Sequence, residues 1–149
     1  MITALAARLR LGLGGDATLG TVLELLAAVH GRRRLIEDPS GEVVTYRDAA
    51  GRVDRWAGAL AARIQPGDRV VLATANGYDQ FLLCLAVSRA GGIAVPVNPQ
   101  MRPDEVDHVV TDAGADVLVR AADELDGAEP LGRDGPRASS SRTAASWGA

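Results

Sequence analysis

The sequence predicts an α/β protein: a mostly parallel sheet flanked by helices, preceded by a small β-hairpin and followed by a disordered C-terminal tail. Three observations predict it. From Arg69 to Arg120, short apolar runs alternate with helical patterns as strand, helix, strand, helix, strand, and the short connections imply right-handed crossovers. The runs Val70-Val71-Leu72-Ala73 and Ile93 to Val97 are continuously apolar, as strands covered on both faces are. Asp38-Pro39-Ser40-Gly41, between Leu35-Ile36-Glu37 and Glu42-Val43-Val44-Thr45, has hairpin turn chemistry.

Taken in order, Ala4 to Leu11 is helix-permissive until Gly12-Leu13-Gly14-Gly15-Asp16-Ala17 breaks it. That stretch fits the dinucleotide fingerprint G-x-G-x-x-A, which requires a strand before it and a tightly packed helix after it. The preceding residues lack β-branched character, so residues 1–17 are read as a flexible N-terminal segment. Thr18 can cap a helix to about Val29, with Val22, Leu25, Leu26 and Val29 on one face. Arg32-Arg33-Arg34 reads as arginines facing solvent near a helix C-terminus rather than as an anion patch. The next helix spans Arg47 to Arg63, where Ala49, Val53, Trp56, Leu60 and Ile64 recur at steps of three or four, so Trp56 reads as a core anchor.

A strand follows over Arg69 to Thr74, with Asn76 as N-cap of a helix whose stretch from Phe81 to Val87 is apolar nearly all round and therefore buried. Cys84 lies within that run and reads as an inert core thiol. Gly91 and Gly92 stop the helix, and Ile93 to Val97 reads as a strand buried on both faces, with Pro96 and Pro99 limiting its pairing. Pro103 suits the first position of a helix, Asp104 and Glu105 its first turn, Val106, Val109 and Val110 its apolar face, and Gly114 its stop. His108 falls off that face, and neither histidine has a partner at metal-ligand spacing. Val117-Leu118-Val119 is the last strand.

At 149 residues one domain is expected, and 47% apolar residues with only 3% aromatics leave Leu, Val and Ala to fill its core. A net charge of −3 and a pI near 5.3 give no electrostatic reason to bind nucleic acid or an anionic membrane. No apolar run reaches the roughly 18 residues of a spanning helix. Cys84 is the single cysteine, and Arg8 and Arg10 interrupt the N-terminal apolar stretch, so the expected location is the cytoplasm.

The order Arg89-Ala90-Gly91-Gly92-Ile93-Ala94-Val95-Pro96-Val97-Asn98-Pro99 resembles a segment of the adenylate-forming superfamily, the acyl-CoA synthetases and relatives that activate carboxylic acids with ATP. Val44-Thr45-Tyr46-Arg47-Asp48 resembles the family's Leu-Thr/Ser-Tyr-x-Glu-Leu motif, with Asp48 and Ala49 in place of Glu and Leu. Pro66-Gly67-Asp68-Arg69-Val70, and Arg102-Pro103-Asp104-Glu105 followed by Asp112-Ala113-Gly114-Ala115, match two connecting signatures. Before the first of these the family places a helix-ending glycine, where Arg63 and Ile64 stand here. The resemblance covers Leu19 to Arg120 and implies a partial N-terminal subdomain over residues 18–126 of a fold that continues much further in the family.

The same resemblance implies what the chain lacks. Family members use ATP, Mg and CoA, with one lysine in a phosphate loop and another in the C-terminal domain. All sixteen basic residues here are arginine, and a planar guanidinium does not simply replace a compact ammonium on phosphate. No Ser/Thr/Gly-rich phosphate loop follows Arg120. No catalytic, cofactor-binding or metal-binding position is carried over, and the carboxylic acid substrate belongs only to a complete enzyme. Residues 127–149, rich in Gly, Ala, Ser, Arg and Pro without apolar periodicity, read as disordered and as the product of a truncation or frameshift of a longer gene.

Three readings follow. The first is an N-terminal part of an acyl-CoA synthetase-like enzyme, inactive alone. The second is a non-catalytic binding module that joins a complementing chain through an open sheet edge. The third is an independent nucleotide-binding α/β protein.

Overall fold

The computed structural model describes residues 18–37, 41–75 and 77–125. The element order is α1 (Leu19–His30), β1 (Arg34–Glu37), β2 (Val43–Thr45), α2 (Tyr46–Ala61), β3 (Arg69–Leu72), α3 (Tyr78–Arg89), β4 (Ile93–Pro96), α4 (Pro103–Ala113), β5 (Val117–Val119) and a 3-10 turn over Ala122–Leu125. The fingerprint-like stretch at 12–17, the hairpin turn at 38–40, Asn76 and the tail at 127–149 lie outside the described residues.

β1 and β2 pair antiparallel, with a register shift between Arg34 and Ile36. The second sheet is parallel, in the order β4-β3-β5, with Val70 facing Ala94 on one side and Val117 on the other. The chain steps from β3 out to β4 and then back past β3 to β5. With right-handed crossovers, that reversal places α3 and α4 on opposite faces of the sheet. α1, α2 and α3 pack on one another, and α3 lies along β3 and β4.

Local chemistry explains most boundaries. Thr18 Oγ1 accepts from Thr21 N at 3.2 Å and starts α1. Thr45 and Asp48 form a reciprocal capping box: Thr45 Oγ1 accepts from Asp48 N at 3.3 Å, and Asp48 Oδ2 accepts from Thr45 N at 3.3 Å. Asp48 thus fills the role of the motif's Glu, and the hydrogen bonds it accepts from Thr45 hold its carboxyl below the ordinary value of 3.8. α2 ends without a left-handed residue, because Arg63 N and Ile64 N both turn back to Leu60 O, at 2.8 and 3.0 Å. The reversal comes later, at Gln65-Pro66-Gly67-Asp68, where Gly67 has φ +90° and Asp68 N reaches Gln65 O at 3.0 Å. α4 begins with Pro103 at its first turn and ends at Gly114, φ +57°.

The two glycines after α3 do different work. Gly91 takes φ +87°, whereas Gly92 is required by close approach: a Cβ there would stand 2.8 Å from Ile64 Cδ1 and 3.2 Å from Asp68 O.

Several expectations are corrected. β4 is an edge strand rather than one buried on both faces: Ile93 is 49% exposed and Pro96 is exposed, because only β3 has a neighbour on each side. α3 starts from Gly77, which makes no side-chain cap, rather than from Asn76. Phe81 is 49% exposed while Leu82, Leu83, Leu85, Ala86 and Val87 are buried, so the helix is not covered all round at its start. In α1 the buried residues are Gly20 and Leu23, and Leu26 and Val29 face outward. That helix is apolar on so many sides that spacing alone could not select its buried face. The first strand of the parallel pattern stops at Leu72 rather than Thr74, and α2 starts one residue earlier and ends two residues sooner than the spacing suggests.

Two outcomes test these assignments. Gly92→Ala lowers stability by about 1–3 kcal/mol in urea denaturation, the usual range for overpacking against a filled core. For Asp48, the depressed carboxyl adds stability above its ordinary value that is lost as pH falls through the lowered folded value. Asp48→Asn therefore flattens the acid limb of a stability-versus-pH curve, and an unchanged limb would exclude the capping box as its source.

Candidate functional site

The parallel sheet creates a place where a ligand can lie. Where strand order reverses, the crossover helices leave in opposite directions and a crevice opens at the strands' carboxyl ends. A cleft of about 690 Å³ occupies that position, lined by Thr74, Ala75 and Gly77 after β3, Tyr78 and Asp79 of α3, and Arg120, Ala121 and Ala122 after β5. Ile36 and Glu37 of the hairpin form its outer wall. The hairpin is anchored there by Tyr78, whose hydroxyl donates to Glu42 Oε1 at 3.1 Å.

Sequence spacing explains how these groups converge. Leu72 ends β3, so Thr74 and Ala75 project from the strand's end before the chain turns into α3. Ala73 N still bonds Val119 O at 2.9 Å, holding the ends of β3 and β5 side by side. Glu124 Oε1 accepts from both Arg120 N (3.1 Å) and Ala121 N (2.9 Å), which fixes the turn after β5.

The charges in and beside the cleft are mostly paired. Asp79 Oδ1 accepts from Arg52 Nη1 at 2.9 Å, and Glu37 pairs with Arg34. The Arg52 guanidinium also stacks between two rings, 5.4 Å from the Tyr78 centroid and 5.8 Å from the Trp56 centroid. Its attachment to Tyr78 and Asp79 raises its pKa further above the ordinary arginine range. Arg120 is held less firmly, 3.8 Å from Asp107, with both side chains largely exposed. Thr74 is 4% exposed, and its Oγ1 has no hydrogen-bond partner. A buried hydroxyl in that condition costs free energy.

Residues singled out in the sequence fall elsewhere. Trp56 is 2% exposed and is a core anchor, as its spacing indicates. Cys84 is half-buried, and burial pushes its thiol above the ordinary 9.0, away from a reactive thiolate. His30 stands 6.4 Å from Tyr46 with tilted rings, His108 is exposed, and Arg32 to Arg34 face solvent. Among the described residues no group of three metal-ligating side chains comes together. Sequence reasoning did not select Thr74, Tyr78, Asp79 or Arg120. The signal that could have found them is positional: each sits just past the carboxyl end of a strand that the alternation pattern identifies.

A three-stranded parallel sheet with crossovers in both directions and a crevice at its carboxyl edge places the chain in the open-sheet α/β class. Within that class, a family model described as "AMP-binding enzyme" matches residues 23–145, and the chain belongs to that family. The matched span runs on into the stretch beyond residue 126.

Similar proteins agree. A feruloyl-CoA synthase from Amycolatopsis sp is 34% identical over 87 residues, covering 58% of this chain and 18% of that protein. The long-chain-fatty-acid–CoA ligase FadD13 of Mycobacterium tuberculosis is 31% identical over 106 residues, 70% of this chain and 21% of the relative. The N-terminal domain of FACL13 from Mycobacterium tuberculosis, solved with an inhibitor, superposes with TM-score 0.63 at 28% identity, over 69% of this chain and 26% of that one. The N-terminal subdomain of Klebsiella oxytoca NpsA reaches TM-score 0.69 at 19% identity over 80% of this chain and 34% of that one, a likeness of fold. The chain spans about a fifth of the length of the curated relatives it matches. Among the described residues no helix is long and apolar enough to cross a membrane.

Proposed function

We propose that this chain supplies the N-terminal scaffold of an acyl-CoA ligase-like, adenylate-forming enzyme and does not activate a carboxylic acid by itself. The observation that carries this reading is the absence of lysine from all 149 residues. Forming an acyl adenylate from ATP and a carboxylate crowds negative charge around the α-phosphate, and positioned cations lower that barrier by several kcal/mol. In a complete relative ATP, Mg and CoA would be used with a fatty or aromatic acid, in keeping with relatives named for feruloyl, long-chain fatty and 4-chlorobenzoate thioesters. What the chain contributes is rigid: a parallel sheet and a packed helical layer.

A second reading, association with a complementing chain, is favoured by β4. Among the described residues that strand pairs on one side only, and Ile93 at its start is half exposed, which leaves its outer edge available to another strand. The soluble, cytoplasmic setting expected from composition suits either reading.

Pyrophosphate exchange with a panel of fatty and aromatic acids, run on the 149-residue protein, gives no turnover above background on the first reading. Any acid-dependent exchange would overturn it. Size-exclusion chromatography with the remainder of an adenylate-forming enzyme added in trans separates the second: a co-eluting complex supports it, and independent elution refutes it.

A further inference from the structure

We propose that the outward face of α1, together with the arginines that follow it, docks on the surface of an anionic lipid bilayer. The inference goes beyond the scaffold role and does not depend on adenylation.

α1 turns an apolar seam away from the core. Among the described residues it exposes more large apolar side chains than any other element, with Leu19 65%, Leu26 39% and Val29 40% exposed. Val22, half-buried, falls between them, so the four recur at steps of three, four and three residues along one side of the helix. The buried side is set by Gly20 and Leu23, with Gly20 lying against Arg89 of α3. The helical turn does not stop at His30: Gly31 keeps φ −48° and ψ −34°, and Arg33 N reaches back to His30 O at 2.7 Å. Arg33 therefore comes four residues after Val29, at the end of the same seam, with Arg32 next to it.

The charges at that end are of one sign. Arg32 and Arg33 are exposed, and the ion pairs among the described residues take up Arg34, Arg52, Arg89, Arg102 and Arg120 but neither of these two. The acid on α1, Glu24, is turned to Arg89 at 3.2 Å. The net charge of −3 thus hides a local basic cluster beside leucine and valine. A second copy seated on this seam would meet the same uncompensated cations, and a nucleic acid would gain nothing from Leu19, Leu26 and Val29. An anionic bilayer suits both: the apolar side chains enter the headgroup boundary while the guanidinium groups stay at the level of the lipid phosphates.

The test is co-sedimentation of the 149-residue protein with vesicles of phosphatidylcholine alone or of equimolar phosphatidylcholine and phosphatidylglycerol. The mixed vesicles should carry the protein down far better than the neutral ones, and that binding should fall as salt rises. Arg33→Gln should lower the partition coefficient about fivefold, the effect of one cation at an anionic surface, and Leu26→Gln should lower it by a similar factor. Both side chains are exposed, so the circular dichroism of each variant should stay native. Arg102→Gln, at the start of α4 on the other face of the sheet, removes the same charge and should leave binding unchanged. No binding to the mixed vesicles, equal binding to both kinds, unaltered affinity in Arg33→Gln or Leu26→Gln, or a dimer in solution that Leu26→Gln splits would each overturn the proposal.

Discussion

Helix α3 has almost no side to spare for water, and the rest of the fold follows from that. It is covered by α1 and α2 on one side and by β3 and β4 on the other. Leu82, Leu83, Leu85, Ala86 and Val87 all lie below a tenth exposed. Burying a leucine removes about 1.5–3 kcal/mol worth of apolar surface from water, so this one helix accounts for a large share of the driving force. A helix placed in that way cannot be amphipathic, and its sequence is not. Its neighbour α2 is amphipathic: it presents Ala49, Val53, Trp56, Ala57 and Leu60 inward and keeps Arg55 and Gly51 outward.

A buried core of this kind makes any charge within it conspicuous. Arg89, at the last turn of α3, has a side chain only 9% exposed and lies between α1 and α2. Its Nη2 is 3.2 Å from Glu24 Oε2 and 3.6 Å from Asp54 Oδ1. The second distance is attraction without a hydrogen bond, consistent with Asp54 Oδ1 having no hydrogen-bond partner. One guanidinium thus ties three helices together, and removing it would leave Glu24 and Asp54 without their shared cation. Gly20 belongs to the same arrangement, since a Cβ there would stand 2.5 Å from Arg89 Cβ. Close helix contact and the ion pair depend on each other.

The scaffold and the cleft answer to different physics. Packing of the helices on the sheet needs only volume and apolar area, and solved structures with 19% to 28% identity share the fold. The cleft is lined by residues just beyond the strands: Thr74, the start of α3 and Arg120. Chemistry on phosphate needs in addition a concentration of positive charge. Arg52, the most tightly held cation near the cleft, is committed to Asp79 and to the faces of Tyr78 and Trp56. It steadies the wall of the site instead of reaching into it.

Much of this was legible in the chain. Capping residues, turn glycines and helical spacing are local signals, so Thr18, Thr45 with Asp48, Pro66-Gly67, Pro103 and Gly114 mark their boundaries without help from the rest of the molecule. Alternation of apolar runs and helices pointed to the parallel sheet, and four motifs in order, the longest at Arg89 to Pro99, pointed to the family. Strand order was not local information. Ile93 to Val97 reads as a fully buried strand because a short apolar run looks the same at a sheet's centre and at its edge. Only the pairing of β3 with both neighbours decided which it was. Phe81 and the outward face of α1 escaped for the same reason, since burial depends on what covers a residue and not on its own polarity. The cleft went unseen because Thr74 and Arg120, 46 positions apart, meet only when β5 docks beside β3. Backbone preference fixed the elements, whereas the sheet's hydrogen bonds decided which ends came to lie together.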